Sequence, residues 1–126
     1  MNIIDSSCWL EYFAGSKVGE KVATVIEDIQ NLLVPSITIY EVFKKLLVEL
    51  DEDRAIFAIA HMKQGKVIEL DSDLAVFAAQ IGKQHRLPMA DSIIYATTKR
   101  HLAILYTQDK HFENLELVKL FPKTQA

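Results

Sequence analysis

The chain contains one cysteine, Cys8, among its 126 residues. A lone thiol forms no internal disulfide and supplies no zinc cluster, so the fold must rest on an apolar core. Glycine is nearly as scarce: four residues, at 15, 19, 65 and 82, stand too far apart to make a phosphate-cradling loop. Apolar runs end in charge after a few residues, well short of the roughly 20 that cross a bilayer. The start, MNIIDSSCW, has neither the basic residues nor the apolar stretch of a secretory signal. The expectation is a soluble, cytoplasmic protein with no membrane association. Basic charge is also short, with 14 Lys and Arg against 17 Asp and Glu, a net charge of -3 and a pI near 5.8. That balance argues against holding nucleic acid by a broad basic surface. It does not exclude meeting phosphate through a metal, because cations bound by acids reverse the local sign.

What is present is apolar bulk: 50% hydrophobic residues in a chain the size of one ordinary domain. A single domain over residues 1–126 is expected. NIID, residues 2 to 5, reads as a short buried strand ending in a carboxylate, and SSCWLEYFAG follows as a helix opened by two serine caps. Trp9, Tyr12 and Phe13 on that helix read as core. KVGEKVATVIEDIQ carries Val18, Val22, Val25, Ile26 and Ile29 at helical spacing. LLVPS is a strand stopped by Pro35. ITIYEVFKKLLVEL and DEDRAIFAIAHMKQG read as two helices forming a hairpin, the second with acids at its start. KVIEL is a strand, and DSDLAVFAAQIGKQHR is a helix with an N-capping start. Pro88 suits the first turn of MADSIIYATTKRH, a helix that should stop near His101. AILY is a buried strand followed by Thr107, Gln108 and Asp109, ENLELVKLF offers an edge strand, and PKTQA is a polar tail. Strands alternating with helices predict a three-layer α/β/α sandwich around a central, mostly parallel sheet.

Four acids fall at junctions between these elements. Asp5 ends the first strand, Glu41 lies in the first turns of the third helix, Asp91 starts the last helix, and Asp109 follows the strand AILY. In an open α/β sheet, strand ends and helix starts meet at one edge, where sites are usually built. Each acid also has a local reading. Asp5 can cap the helix after it; Glu41 with Thr38 fits a capping box; Asp91 suits a helix dipole; Asp109 suits an Asx turn. Their coincidence at one edge favours a shared role, since gathered carboxylates repel unless a cation neutralises them. A cluster of oxygen ligands is what a hard cation such as Mg²⁺ requires. Ser6 and Thr107 place hydroxyls beside the same edge, as cap and turn residues or as groups orienting carboxylates. Lys44, Lys45, Lys99 and Arg100 are candidate phosphate contacts or simply solvated helix faces. His85, His101 and His111 lack the spacing of a helical zinc site and read as surface or helix-end residues.

The blocks IIDSSCWLEYF, ITIYEVFKKL, PMADSIIYATTKRH and ILYTQDKHF, in this order and spacing, resemble the four motifs of PIN-domain ribonucleases, specifically the small VapC-type toxins of bacterial toxin-antitoxin pairs. The resemblance spans nearly the whole chain. It places the family's four acids on Asp5, Glu41, Asp91 and Asp109, and its accessory hydroxyls on Ser6 and Thr107, with Ser6 where threonine is commoner. It implies a PIN-like fold and an endoribonuclease that prefers single-stranded RNA and uses Mg²⁺ or Mn²⁺. It further implies a homodimer, held inactive by a cognate antitoxin. Asp5 and Asp91 are then the principal metal ligands, Glu41 and Asp109 further ligands partly through water, and Thr107 an orienting group. One of the acids can instead activate the attacking water. Residues 50 to 80 carry no motif of the family. The apolar helices between residues 17 and 60 fit the expectation of a homodimer.

Two phosphotransfer readings fail on the first strand. Haloacid-dehalogenase-like phosphatases need a second Asp two residues after the first, where this chain has Ser7, and a receiver domain needs an acidic pair there. The rival from another class is a PIN-like module that binds RNA or protein without cleaving. Its mark would be a lost acid, and none is lost.

Overall fold

The computed structural model describes residues 1–123, so Thr124 to Ala126 of the tail expected over residues 122–126 lie outside the described residues. Five strands form one sheet in the order β3-β2-β1-β4-β5: β1 (Asn2–Ile4), β2 (Leu32–Pro35), β3 (Lys66–Ile68), β4 (Ile104–Thr107) and β5 (Val118–Leu120). Every neighbouring pair is parallel, with Ile3 opposite Leu33 on one side and Leu105 on the other. Six helices cover the two faces. α1 (Ser6–Ala14), α2 (Lys17–Glu27), α3 (Ser36–Glu49) and α4 (Glu52–Met62) pack on one, and α5 (Ser72–His85) and α6 (Met89–His101) on the other.

Alternation along the strands divides the core accordingly. Ile4, Leu32 and Val34 meet Cys8, Trp9, Val22, Val42 and Met62 on the first face, while Ile3, Leu33 and Leu105 meet Leu74, Ile81, Ile94 and Tyr95 on the second. This is the expected α/β/α sandwich. The connections explain the division: β1 to β2 to β3 steps in one direction with helices on one face, and the return from β3 to β4 carries α5 and α6 over the other. The direction therefore reverses between β1 and β4, and a crevice opens beyond their carboxyl ends.

Helix boundaries differ from the sequence reading in informative places. α1 is capped by the Asp5 side chain, which accepts from the Ser6 amide, so neither serine is the cap. It ends at Gly15, whose φ of 70° closes the helix by donating its amide to Glu11 and Tyr12. α2 stops at Glu27, and Ile29 and Gln30, expected to prolong it, belong with Asn31 to a separate 3₁₀ turn before β2. Pro88 is the N-cap of α6, one position ahead of its first turn. Thr38 and Glu41 do not form a capping box: α3 begins at Ser36, and the Thr38 hydroxyl donates to the Pro35 carbonyl 2.7 Å away. Glu41 is released for another partner. The expected edge strand narrows to Val118–Leu120, after a loop in which Asn114 and Leu117 take positive φ.

Candidate metal centre at the sheet edge

The crevice between β1 and β4 gathers the four acids. Asp5 follows β1 directly and is 3% exposed. Its Oδ2 accepts from the Thr107 hydroxyl at 2.7 Å and the Ser7 hydroxyl at 3.1 Å, and its Oδ1 takes the Ser6 amide at 2.9 Å. Thr107, the last residue of β4, is fully buried, and its hydroxyl also receives the Asp109 amide at 2.9 Å. One hydroxyl thus ties the first strand's acid to the backbone of the fourth. The Ser6 hydroxyl donates to Glu41 Oε1 at 3.1 Å, drawing α3 to the start of α1. Ser6 and Thr107 therefore touch carboxylates.

Asp91 enters from the opposite layer, in the first turn of α6. Asp109 caps the short 3₁₀ turn at Lys110–Phe112 by accepting the His111 amide, so its Asx-turn reading holds alongside its place in the crevice. His111, expected as a surface or helix-end residue, is 57% exposed at its side chain, and its Nδ1 also lies 2.9 Å from Asp91 Oδ2 and 3.0 Å from Asp109 Oδ1. Asp91, Asp109 and His111 each offer a ligand atom within 4.8 Å of the others. The only sequence signal for His111 was its position two residues after Asp109, on the far side of a tight turn.

Electrostatics show the strain of this gathering. Burial pushes the Asp91 carboxyl up to about 7, with the Asp109 and Asp5 charges adding to it and the His111 hydrogen bond opposing. Asp5 is also raised, chiefly by burial, against the pull of Thr107, Ser7 and Ser6. Glu41 is raised by burial and by the charges of Asp5 and Asp109, while the Ser6 hydroxyl lowers it. His111 moves up because Asp91 accepts from it and Asp109 lies beside it. A carboxylate set that is hard to ionise alone, with the His111 imidazole hydrogen-bonded at its edge, is the donor chemistry a divalent cation satisfies.

The expected phosphate contacts are not all at this edge. Lys99 and Arg100 sit at the far end of α6, about 12 Å along the helix from Asp91 at 1.5 Å per residue. There they pair with Glu116 and Asp71. Lys44 lies over the Tyr40 ring, whereas Lys45 pairs with Glu49 in a cleft beside Ser7. Trp9 is core, as expected, stacked on Phe13, and its Nε1 is a sealed donor with no hydrogen-bond partner among the described residues.

A five-stranded parallel sheet with an acid-lined crevice at its switch point defines a class of α/β domain whose site is assembled from carboxylates at strand ends and helix starts. Within that class the chain belongs to the PIN domain family, whose profile matches residues 3–117. Solved structures of similar fold include a toxin-antitoxin complex from Klebsiella pneumoniae, 20% identical with a TM-score of 0.80, the match covering 98% of this chain and 100% of that one. VapC20 of Mycobacterium tuberculosis, a Sarcin-Ricin loop cleaving toxin, is 15% identical with a TM-score of 0.75, covering 92% and 95%. A DNA-bound VapBC from Salmonella typhimurium is 15% identical with a TM-score of 0.72, covering 96% of each chain. By sequence, no curated protein matches the chain.

Proposed function

We infer that the protein is a metal-dependent endoribonuclease, the toxin of a toxin-antitoxin pair, hydrolysing phosphodiester bonds in single-stranded or loop regions of cytoplasmic RNA. The observation that carries this reading is the convergence of Asp5, Glu41, Asp91 and Asp109 on one crevice, two of them held by the Thr107 and Ser6 hydroxyls. Asp5 and Asp91 are the principal ligands of Mg²⁺ or Mn²⁺, with Glu41 and Asp109 as further ligands. When bound, such a cation neutralises the scissile phosphate, acidifies an attacking water and stabilises the leaving oxygen.

The chain's own residues prepare that chemistry. Thr107 and Ser7 fix one oxygen of Asp5, and the Ser6 amide fixes the other. Ser6 turns Glu41 towards the crevice. Asp109 is held by its own turn, and Asp91 by His111. Preorganised carboxylates need no rearrangement at the moment of reaction. An acid left outside the cation's coordination is positioned to take the proton of the attacking water.

Two protein partners belong to this reading, a cognate antitoxin and a second copy of the chain. Tyr40, Val48, Ile56 and Phe57 leave large apolar surfaces exposed on the α3–α4 hairpin, as partner-covered faces do. A light-scattering mass of one chain at working concentration would count against the homodimer.

The deciding experiment is cleavage of mixed structured and single-stranded RNAs by purified protein, with Mg²⁺ or Mn²⁺, with chelator, and with Asp91→Asn. Discrete cuts that require the cation and vanish in the variant are expected. A folded protein that neither cuts nor binds a cation under any condition would instead be a binding module.

A further inference from the structure

Gln108, between Thr107 and Asp109, is 7% exposed, yet its side-chain amide has no hydrogen-bond partner among the described residues. Buried amides are normally paired, and each unpaired one calls for an explanation. The amide is not sealed, because the sole sealed orphan atom among the described residues is Trp9 Nε1. Gln108 lines two clefts. One, of about 690 Å³, runs from Asp109 past Lys110 to Leu120, Phe121, Pro122 and Lys123. The other, of about 440 Å³, holds Ser7, Leu10, Glu11, Lys45 and Lys123. The Gln108 backbone is fixed to the crevice, its amide donating to the Ser7 hydroxyl at 3.3 Å.

Resting on the nuclease reading, we propose that Gln108 is a specificity-determining residue whose amide reads the edge of an unpaired nucleobase adjoining the scissile phosphate. The larger cleft has the size of small-ligand sites, roughly 300–1,000 Å³. Asp109 in its wall joins it to the acids, so a base lodged there belongs to a nucleotide next to the cut. Phe121 and Pro122 give it an apolar side, and Lys110 and Lys123 supply cations for the backbone. A glutamine amide presents one acceptor beside two donors and can pair with any unpaired base edge that sets an acceptor beside a donor. Among these the base assigned is adenine, whose N6 and N7 a glutamine meets bidentately.

The test is sequencing of the ends cut from a random single-stranded RNA pool in Mn²⁺, for the unmodified protein, Gln108→Leu, Gln108→Glu and the surface control Gln80→Leu. In parallel, anisotropy measures binding of A, C, G and U homopolymers with Ca²⁺ in place of Mn²⁺. The unmodified protein and Gln80→Leu should prefer adenine at one position beside the cut by about tenfold, the discrimination of one good side-chain pair. Gln108→Leu should flatten that preference. Gln108→Glu, which only accepts, should move it towards guanine, whose edge offers two donors. A merely structural role would lower the rate without changing the base. Cutting whose preference survives Gln108→Leu, or that shows none, overturns the inference and leaves the nuclease standing. If the unmodified protein does not cut, the nuclease reading fails and the homopolymers decide: an adenine preference lost in Gln108→Leu supports the base contact, and one unchanged or absent overturns it.

Discussion

Thr107 shows how much one buried hydroxyl can hold. It donates to Asp5 at 2.7 Å and accepts the Asp109 amide at 2.9 Å, so two candidate ligands depend on it. Thr107→Val keeps the shape and removes both bonds. Loss of such a supporting contact typically costs ~10- to 100-fold in metal affinity or activity, and that drop is expected in Mn²⁺ binding and in cleavage. Thr107→Ser, which retains the hydroxyl, should recover most of it; equal loss in both variants would mean that the methyl group matters and the hydrogen bonds do not. Asp91 tests the other side of the site. Its carboxyl is pushed up to about 7 by burial and by its acidic neighbours. Asp91→Asn removes a repelling charge while its amide oxygen still accepts from His111. Cleavage should vanish, while the cation-free protein should gain about 0.5–2 kcal/mol in denaturant unfolding, the usual range for relieving a functional compromise. An Asp91 that served only the helix dipole would give the opposite sign in stability.

Among the elements, the tightest constraints are two helix pairs that meet through glycine. A Cβ on Gly19 would stand 2.3 Å from the Glu11 carbonyl oxygen and 2.8 Å from the Tyr12 Cα, both backbone of α1. Backbone cannot rotate away, so Gly19→Ala must separate α1 from α2. A loss of about 3 kcal/mol in chemical denaturation is expected, at the upper end for overpacking. Gly82 on α5 differs, because the atom in its way is the Ser92 hydroxyl at 2.4 Å, a side chain bonded to the Leu87 and Pro88 carbonyls. Gly82→Ala should cost less than Gly19→Ala, and adding Ser92→Ala should restore part of it; strict additivity would refute the contact. These contacts show where sequence reading stopped. Strand ends and helix starts were legible from Pro88, from the strand-like runs NII and ILY, and from the apolar spacing in α2, and they sufficed to bring four acids to one edge. The partner of Glu41 was not legible: Thr38 stood at capping-box spacing, and only tertiary packing of α1 on α3 gave Glu41 to Ser6. His111 was missed for the same reason, since its contact with Asp91 crosses from a loop to another layer of the sandwich.

For the molecule as a whole, these raised groups set a pH dependence of stability with a definite sign. Asp5, Glu41 and Asp91 all have folded values above their unfolded ones, so between the ordinary carboxylate range and about 7 the native state binds more protons than the unfolded chain. Stability must then fall as pH rises through that window. His111 is raised as well, and its contribution, full below its ordinary value of 6.5, is lost as pH climbs through the folded value, so it acts in the same direction. Cation-free protein should therefore melt at a lower temperature at about pH 8 than at about pH 5, the opposite of a protein stabilised by paired carboxylates. A cation binds only the ionised acids, releasing protons as it does. Mn²⁺ at about 100 times its dissociation constant adds ~2.7 kcal/mol, or roughly 10 °C for a chain of this size, and should do so at pH 8 while adding little at pH 5. Calorimetric melting at both values, with and without Mn²⁺, reads all four quantities at once. Asp91→Asn should flatten the cation-free slope and shrink the Mn²⁺ shift together, because one crevice generates both. A variant that lost the shift but kept the slope would separate the cation from the buried acids and move the metal centre elsewhere.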